Sequence, residues 1–92
     1  MAIRFYLDPE SGLPHVYGHD VDEGEVAQVL ARPGEDRPGR DGSRVAIGQT
    51  RAGRYLRVIY VAEQGGVFVI TAYELRGRPL LAYRRRRRRR GR

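Results

Sequence analysis

The sequence predicts an α+β domain, an antiparallel sheet packed against one or two short helices, and three observations carry that prediction. Ser43 to Leu75 holds three apolar, β-branched runs divided by two glycine-bearing turns, the pattern of a three-stranded meander. Before it, the segment opening at Val21-Asp22 has the start signals and single apolar stripe of a helix. After it, Leu80-Leu81-Ala82-Tyr83 runs into a block of arginine.

Taken in order, Ala2 to Leu7 alternates as a strand, and Asp8-Pro9-Glu10-Ser11-Gly12 has strong turn chemistry. Pro14 to Tyr17 returns as a second strand, giving an N-terminal hairpin whose proline confines it to an edge. The helix is better defined. Asp22 is its N-cap, Glu25 closes a capping box at N3, and Val21 at N′ can staple onto Val26. Val26, Val29 and Leu30 form the apolar stripe until Pro33-Gly34 stops the helix. Arg32 to Gly42, with two prolines, three glycines and mixed charge, reads as a loop.

The meander can be given a register. A four-residue loop Thr50 to Gly53 places Val45 and Ile47 on one face with Leu56 and Val58. A three-residue loop Gln64-Gly65-Gly66, with Gly66 left-handed, adds Tyr60, Phe68, Ile70 and Ala72 to that face, beneath the helix. The opposite face then carries Arg44, Ala46, Gly48, Tyr55, Arg57, Ile59, Val69, Thr71 and Tyr73, with Arg57 directly across from Tyr73. A short terminal helix starts near Pro79, its arginines at the end where cations are favoured. Seven consecutive like charges repel, so residues 84–92 are expected as a disordered polyarginine tail on a single domain of residues 1–83.

Composition excludes several function classes. Ninety-two residues make one small domain, with net stability of roughly 5 to 10 kcal/mol. Without cysteine there is no disulfide, thiol switch or thiolate metal site. The longest apolar run, Val58 to Ala62, is far short of the ~20 residues of a membrane span. Asp8, Glu10 and Pro14 interrupt any signal-peptide core, so the expectation is a soluble, unexported, cytoplasmic protein with no membrane partner. His15 and His19 are spaced as a helical metal pair, but Pro14 and Gly18 argue against that helix, and no metal site is expected.

The net charge of +7 is unevenly spread. Residues 1–43 hold four arginines against nine acids, residues 44–83 six arginines against two, and residues 84–92 eight arginines. All eighteen basic residues are arginine, which fits GC-rich codon usage, a need for planar phosphate-binding guanidinium groups, or both.

Several motifs, in order, resemble the BrnT-type toxins of bacterial toxin–antitoxin pairs, a branch of the RelE-like ribonucleases. They are Phe5-Tyr6-Leu7-Asp8-Pro9, His19-Asp20-Val21, Ile47-Gly48-Gln49-Thr50, Gly53-Arg54-Tyr55-Leu56-Arg57-Val58-Ile59-Tyr60, Ile70-Thr71-Ala72 and Tyr83-Arg84, across residues 5–84. The chain departs from that pattern at Gly18, where a basic residue is usual, at Gly12 and Pro14, where the family is helical, and at Tyr73, where arginine is common. A neighbouring toxin-like family is the other home for it. The resemblance implies a RelE-like fold and metal-independent cleavage of mRNA, on the ribosome or off it, using the substrate's own 2′-hydroxyl. It further implies no cofactor and a small antitoxin partner.

Such chemistry needs a base for the hydroxyl, cations for the phosphate and an acid for the leaving oxygen. Arg44 and Arg57 are candidates for the phosphate, or pair with acids of the N-terminal half. Tyr73 is a candidate to position or deprotonate the hydroxyl or stack on a base, or packs across strands. Tyr83 closes the site or anchors the terminal helix; His19 is a proton donor or a local hydrogen-bonding group; Arg54, at the turn, reads as structural. Arg84, Arg85, Arg86, Arg87, Arg88, Arg89 and Arg90 can bind RNA or DNA phosphate without sequence preference, or simply solubilise the chain. The alternatives to an enzyme are a non-catalytic RNA- or ribosome-binding module and an adaptor whose basic face docks an acidic partner.

Overall fold

The computed structural model describes residues 1–90. Five strands form one sheet: β1 Ala2–Phe5, β2 Glu35–Pro38, β3 Arg44–Gln49, β4 Tyr55–Glu63 and β5 Gly66–Glu74. Their spatial order is β1-β5-β4-β3-β2, so the longest strands lie at the centre. Helix α1 (Glu23–Ala31) covers one face against β3 and β4, and helix α2 (Gly77–Arg90) packs on the other. No helix among the described residues is long and apolar enough to cross a membrane.

The meander β3-β4-β5 is antiparallel as its turns predict, but the sheet as a whole is mixed, because β1 runs parallel to β5. The expected N-terminal hairpin shrinks to a single bridge between Leu7 and Pro14. Pro14 has no N–H to extend a ladder, and the chain instead coils into a 3₁₀ helix over His15–His19 that buries Val16 against the sheet. The Arg32 to Gly42 segment is likewise not all loop, since Glu35–Pro38 adds a fifth strand beside β3.

Helix α1 forms as its sequence dictates. The Asp22 carboxylate accepts the Glu25 N–H at 2.8 Å and the Glu25 carboxylate accepts the Asp22 N–H at 3.1 Å, satisfying two of the helix's unpaired donors. Val26 and Val29 are fully buried with Val16, Val21, Leu56, Val58 and Val69, and Ile3, Phe5 and Leu30 pack around them. This is the main core.

The expected register fails on β3. Gln49 pairs with Tyr55, so the loop is Thr50 to Arg54, one residue longer than predicted. The Thr50 hydroxyl accepts the Arg54 N–H at 3.1 Å, and the Arg54 guanidinium leaves the sheet to bind both oxygens of Glu25. Arg54 is therefore structural, and its commitment to α1 removes it from the strand. That one-residue slip exchanges the faces of β3: Ala46 and Gly48 lie beneath α1, while Val45 and Ile47 turn outward.

β5 departs in its first half only. The second turn has two residues, Gln64 and Gly65, with Gly65 rather than Gly66 in the left-handed region at φ 80°. Val67 and Val69 consequently face the core in place of Phe68 and Ile70. A bulge between Ile59 and Tyr60 then restores the alternation, so Ala72 is inward and Arg57 lies opposite Tyr73 as predicted.

The arginine block is not a disordered tail over residues 84–90, which continue α2; Gly91 and Arg92, the rest of that expectation, lie outside the described residues. Tyr83 is 4% exposed and packs with Ile47 and Leu75 in a second, smaller core flanked by Val45, Tyr55 and Leu80. Arg86 binds the buried Glu35 carboxylate in two hydrogen bonds, at 2.5 and 3.0 Å. Arg87 donates to the Gly34 carbonyl at 2.8 Å. Apolar anchoring plus these bonds offsets the repulsion along the helix.

Candidate functional site

On the outer face one row runs Ile47–Arg57–Tyr73 across β3, β4 and β5. Arg57 is half-buried in this row, and its Nε–H is buried without a protein acceptor. Beyond Tyr73 the sheet has an open flank, because β1 ends at Phe5 opposite Val69. The 3₁₀ helix His15–His19 occupies that flank against β5. It sets the His19 ring edge-on to Tyr73, with ring centres 6.0 Å apart. His15 stands edge-on to His19 at 5.2 Å, and Tyr6 to His15 at 5.9 Å.

Three of the five residues the sequence put forward for catalysis are thus linked through Tyr73, which pairs with Arg57 across the strands and has His19 at its ring edge. Their types cover what phosphodiester cleavage requires: a fixed cation, a phenol and an imidazole.

Arg44 does not join them. The β3 slip turns it to the α1 side, where it donates to an Asp36 side-chain oxygen at 2.9 Å and to the Asp36 carbonyl at 3.2 Å. Tyr60 donates to the other oxygen of the same carboxylate, and burial together with that bond raises the Tyr60 pKa. Arg44 is an acid-paired residue at the start of β3, on the opposite side of the sheet from Arg57.

Tyr83 stays out of the patch as well. Its ring lies under α2 edge-on to Tyr55 at 6.0 Å, and burial raises its pKa. A Cβ at Gly34 would collide with the Tyr83 hydroxyl, so glycine there is what lets the helix seat. Tyr83 is the anchor of α2.

The seven tail arginines divide by position. Arg86 and Arg87 hold α2 to the body, and the Arg86 bond is what holds the Glu35 carboxyl below its usual range, against the opposing effect of burial. Arg84 lies over the Tyr55 ring with its guanidinium carbon 5.8 Å from the centre. Arg85, Arg88, Arg89 and Arg90 are exposed along the rest of the helix.

Sequence reasoning passed over one pair. Asp8 Oδ1 and His15 Nδ1 are 2.8 Å apart, so the carboxylate accepts the hydrogen bond from Nδ1–H. The signal was present: a turn at Asp8 to Gly12 that brings Leu7 beside Pro14 also brings Asp8 near His15. Among the described residues, no three His, Asp or Glu side chains are grouped as a metal site.

No protein-family model matches the chain, and no curated protein or solved structure does either.

Proposed function

We propose that this protein is a toxin-like, metal-independent endoribonuclease of RelE-like type that acts on mRNA and is neutralised by a cognate antitoxin. The observation that carries the reading is Arg57. A guanidinium N–H buried without a protein acceptor destabilises a fold by about 1–3 kcal/mol, and an outward swing of the side chain onto an anion at the outer face would satisfy it. Tyr73 stands beside it with His19 edge-on to Tyr73, and the motif resemblance across residues 5–84 leads to the same chemistry.

In the proposed reaction the RNA's 2′-oxygen attacks the adjacent phosphorus and the bond to the 5′-oxygen breaks. The products are a 2′,3′-cyclic phosphate and a 5′-hydroxyl. Arg57 stabilises the charge that grows on the phosphoryl oxygens. Tyr73 positions the attacking hydroxyl, whose proton passes to a solvent water, and His19 gives a proton to the leaving oxygen. His15, oriented by Asp8, backs His19 at 5.2 Å.

The test is incubation of the chain with RNA in a chelator, with and without ribosomes, alongside His19→Ala and Tyr73→Phe. Chelator-resistant cleavage to cyclic-phosphate ends is expected, with His19→Ala slower by about 10²-fold or more. A wild type that cuts nothing, even with ribosomes, ends the enzyme reading. The second reading, a non-catalytic RNA- or ribosome-binding module, is favoured by the exposed arginines of α2, which need no chemistry to hold phosphate.

A further inference from the structure

The arginines of this chain separate by what they touch. Arg4, Arg44, Arg54, Arg76 and Arg86 each meet a carboxylate. Arg32, Arg51, Arg84, Arg87 and Arg88 meet none among the described residues, yet they come together from three segments on one open cleft. The cleft, of ≈ 930 Å³, lies between the end of α1, the β3–β4 turn and α2, and no acidic residue lines it.

This placement is held by the fold. Gln28 Oε1 accepts the Arg51 N–H at 2.8 Å, fixing the turn to α1, and Arg87 is tied to the Gly34 carbonyl. Five guanidinium groups without a counter-charge repel one another, and a ligand with several phosphates removes that repulsion while taking bidentate hydrogen bonds. Tyr55 also lines the cleft, half-buried with the Arg84 guanidinium over its ring. An aromatic ring flanked by arginines is a stacking platform for an unpaired base. Tyr55 precedes Arg57 by two residues on the same face of β4, a step of about 7 Å along the strand, so the cleft opens beside the proposed reaction centre.

We propose that this cleft holds single-stranded RNA next to the scissile bond, its phosphates on the arginines and one base on Tyr55. The inference rests on the RNA reading of the outer face and adds where the strand lies. It differs from diffuse attraction to a polyarginine segment, because only one side of α2 takes part. Arg84 and Arg88 line the cleft, whereas Arg85 and Arg89 do not.

The experiment is a charge-matched comparison. Binding of a fluorescent 2′-O-methyl oligonucleotide of about twelve residues, which cannot be cleaved, is followed by anisotropy over a salt series. The proteins are the full chain, Arg84→Gln/Arg88→Gln and Arg85→Gln/Arg89→Gln. The cleft pair is expected to weaken binding about tenfold or more and to lower the salt slope by about one to two units, the outward pair to weaken it about threefold or less. Equal losses in the two pairs overturn the cleft in favour of diffuse charge. A duplex of the same length is expected to bind more weakly than the single strand, and tighter duplex binding overturns the single-strand assignment. Cleavage is scored separately on unmodified RNA. Selective binding without cleavage removes the ribonuclease and keeps the cleft, while cleavage with equal binding losses does the reverse.

Discussion

The two faces of the sheet are built for different ends. Beneath α1, eleven buried residues from Val16 to Ala72 form a continuous apolar core. The outer face has three buried core residues among the described residues, Ile47, Leu75 and Tyr83, and places a half-buried arginine in the row beside them. Burial of apolar area is what holds a small domain together. Stability therefore resides on the inner face, and the outer face can carry polar groups that a core would reject.

Substitutions on the two faces should separate stability from activity. The largest stability effect is expected from Leu56→Ala, which empties a fully buried inner site and should cost about 2–5 kcal/mol in chemical denaturation. Gly34→Ala comes next. Its new methyl displaces the Tyr83 hydroxyl, and the expected loss of about 1–3 kcal/mol should be accompanied by a change in tyrosine fluorescence as α2 shifts. An unchanged spectrum would show that α2 does not depend on that contact.

Acid should loosen the seat of α2 on the outer face. The hydrogen bond from Arg86 holds Glu35 below the ordinary glutamate value of 4.5, so its contribution is fully present above that value. It is lost as pH falls through the lowered folded value. Helicity of α2 and the tyrosine signal should decline together in that acid window, and Glu35→Gln should abolish the dependence. The smallest effect belongs to Asp8→Asn. Both partners of the Asp8–His15 pair are about a third exposed, and the expected change is within about 1 kcal/mol. If His15 supports His19, the same variant should slow cleavage while the melting temperature changes little.

What the sequence revealed and what it hid follow the range of the interactions. The start of α1 was legible because Asp22, Glu25, Val21 and Val26 act within five residues of one another. β2 was not, because a polar Glu35-Asp36-Arg37-Pro38 segment becomes a strand only when β3 pairs with it and Arg86, 51 residues away, binds Glu35. The β3 register was missed for the same reason: Arg54 reaches across 29 residues to Glu25 and lengthens the turn. Arg57 and Tyr73 survived that error since both lie on β4 and β5, where the bulge at Ile59/Tyr60 cancels the shorter second turn. Arg44, on the slipped strand, did not. The helical arginines were hidden because local repulsion predicts disorder, whereas Tyr83 and Glu35 supply the nonlocal anchors.

The most direct test of the outer face as a reaction centre is Arg57→Met, measured for stability and cleavage on one preparation. Methionine keeps much of the side-chain volume and removes the unsatisfied Nε–H. The account predicts a melting temperature equal to or above that of the wild type, with RNA cleavage reduced by about 10²–10³-fold. A destabilised variant that cleaves as the wild type does would contradict it, making Arg57 part of the scaffold and leaving the outer face without its cation.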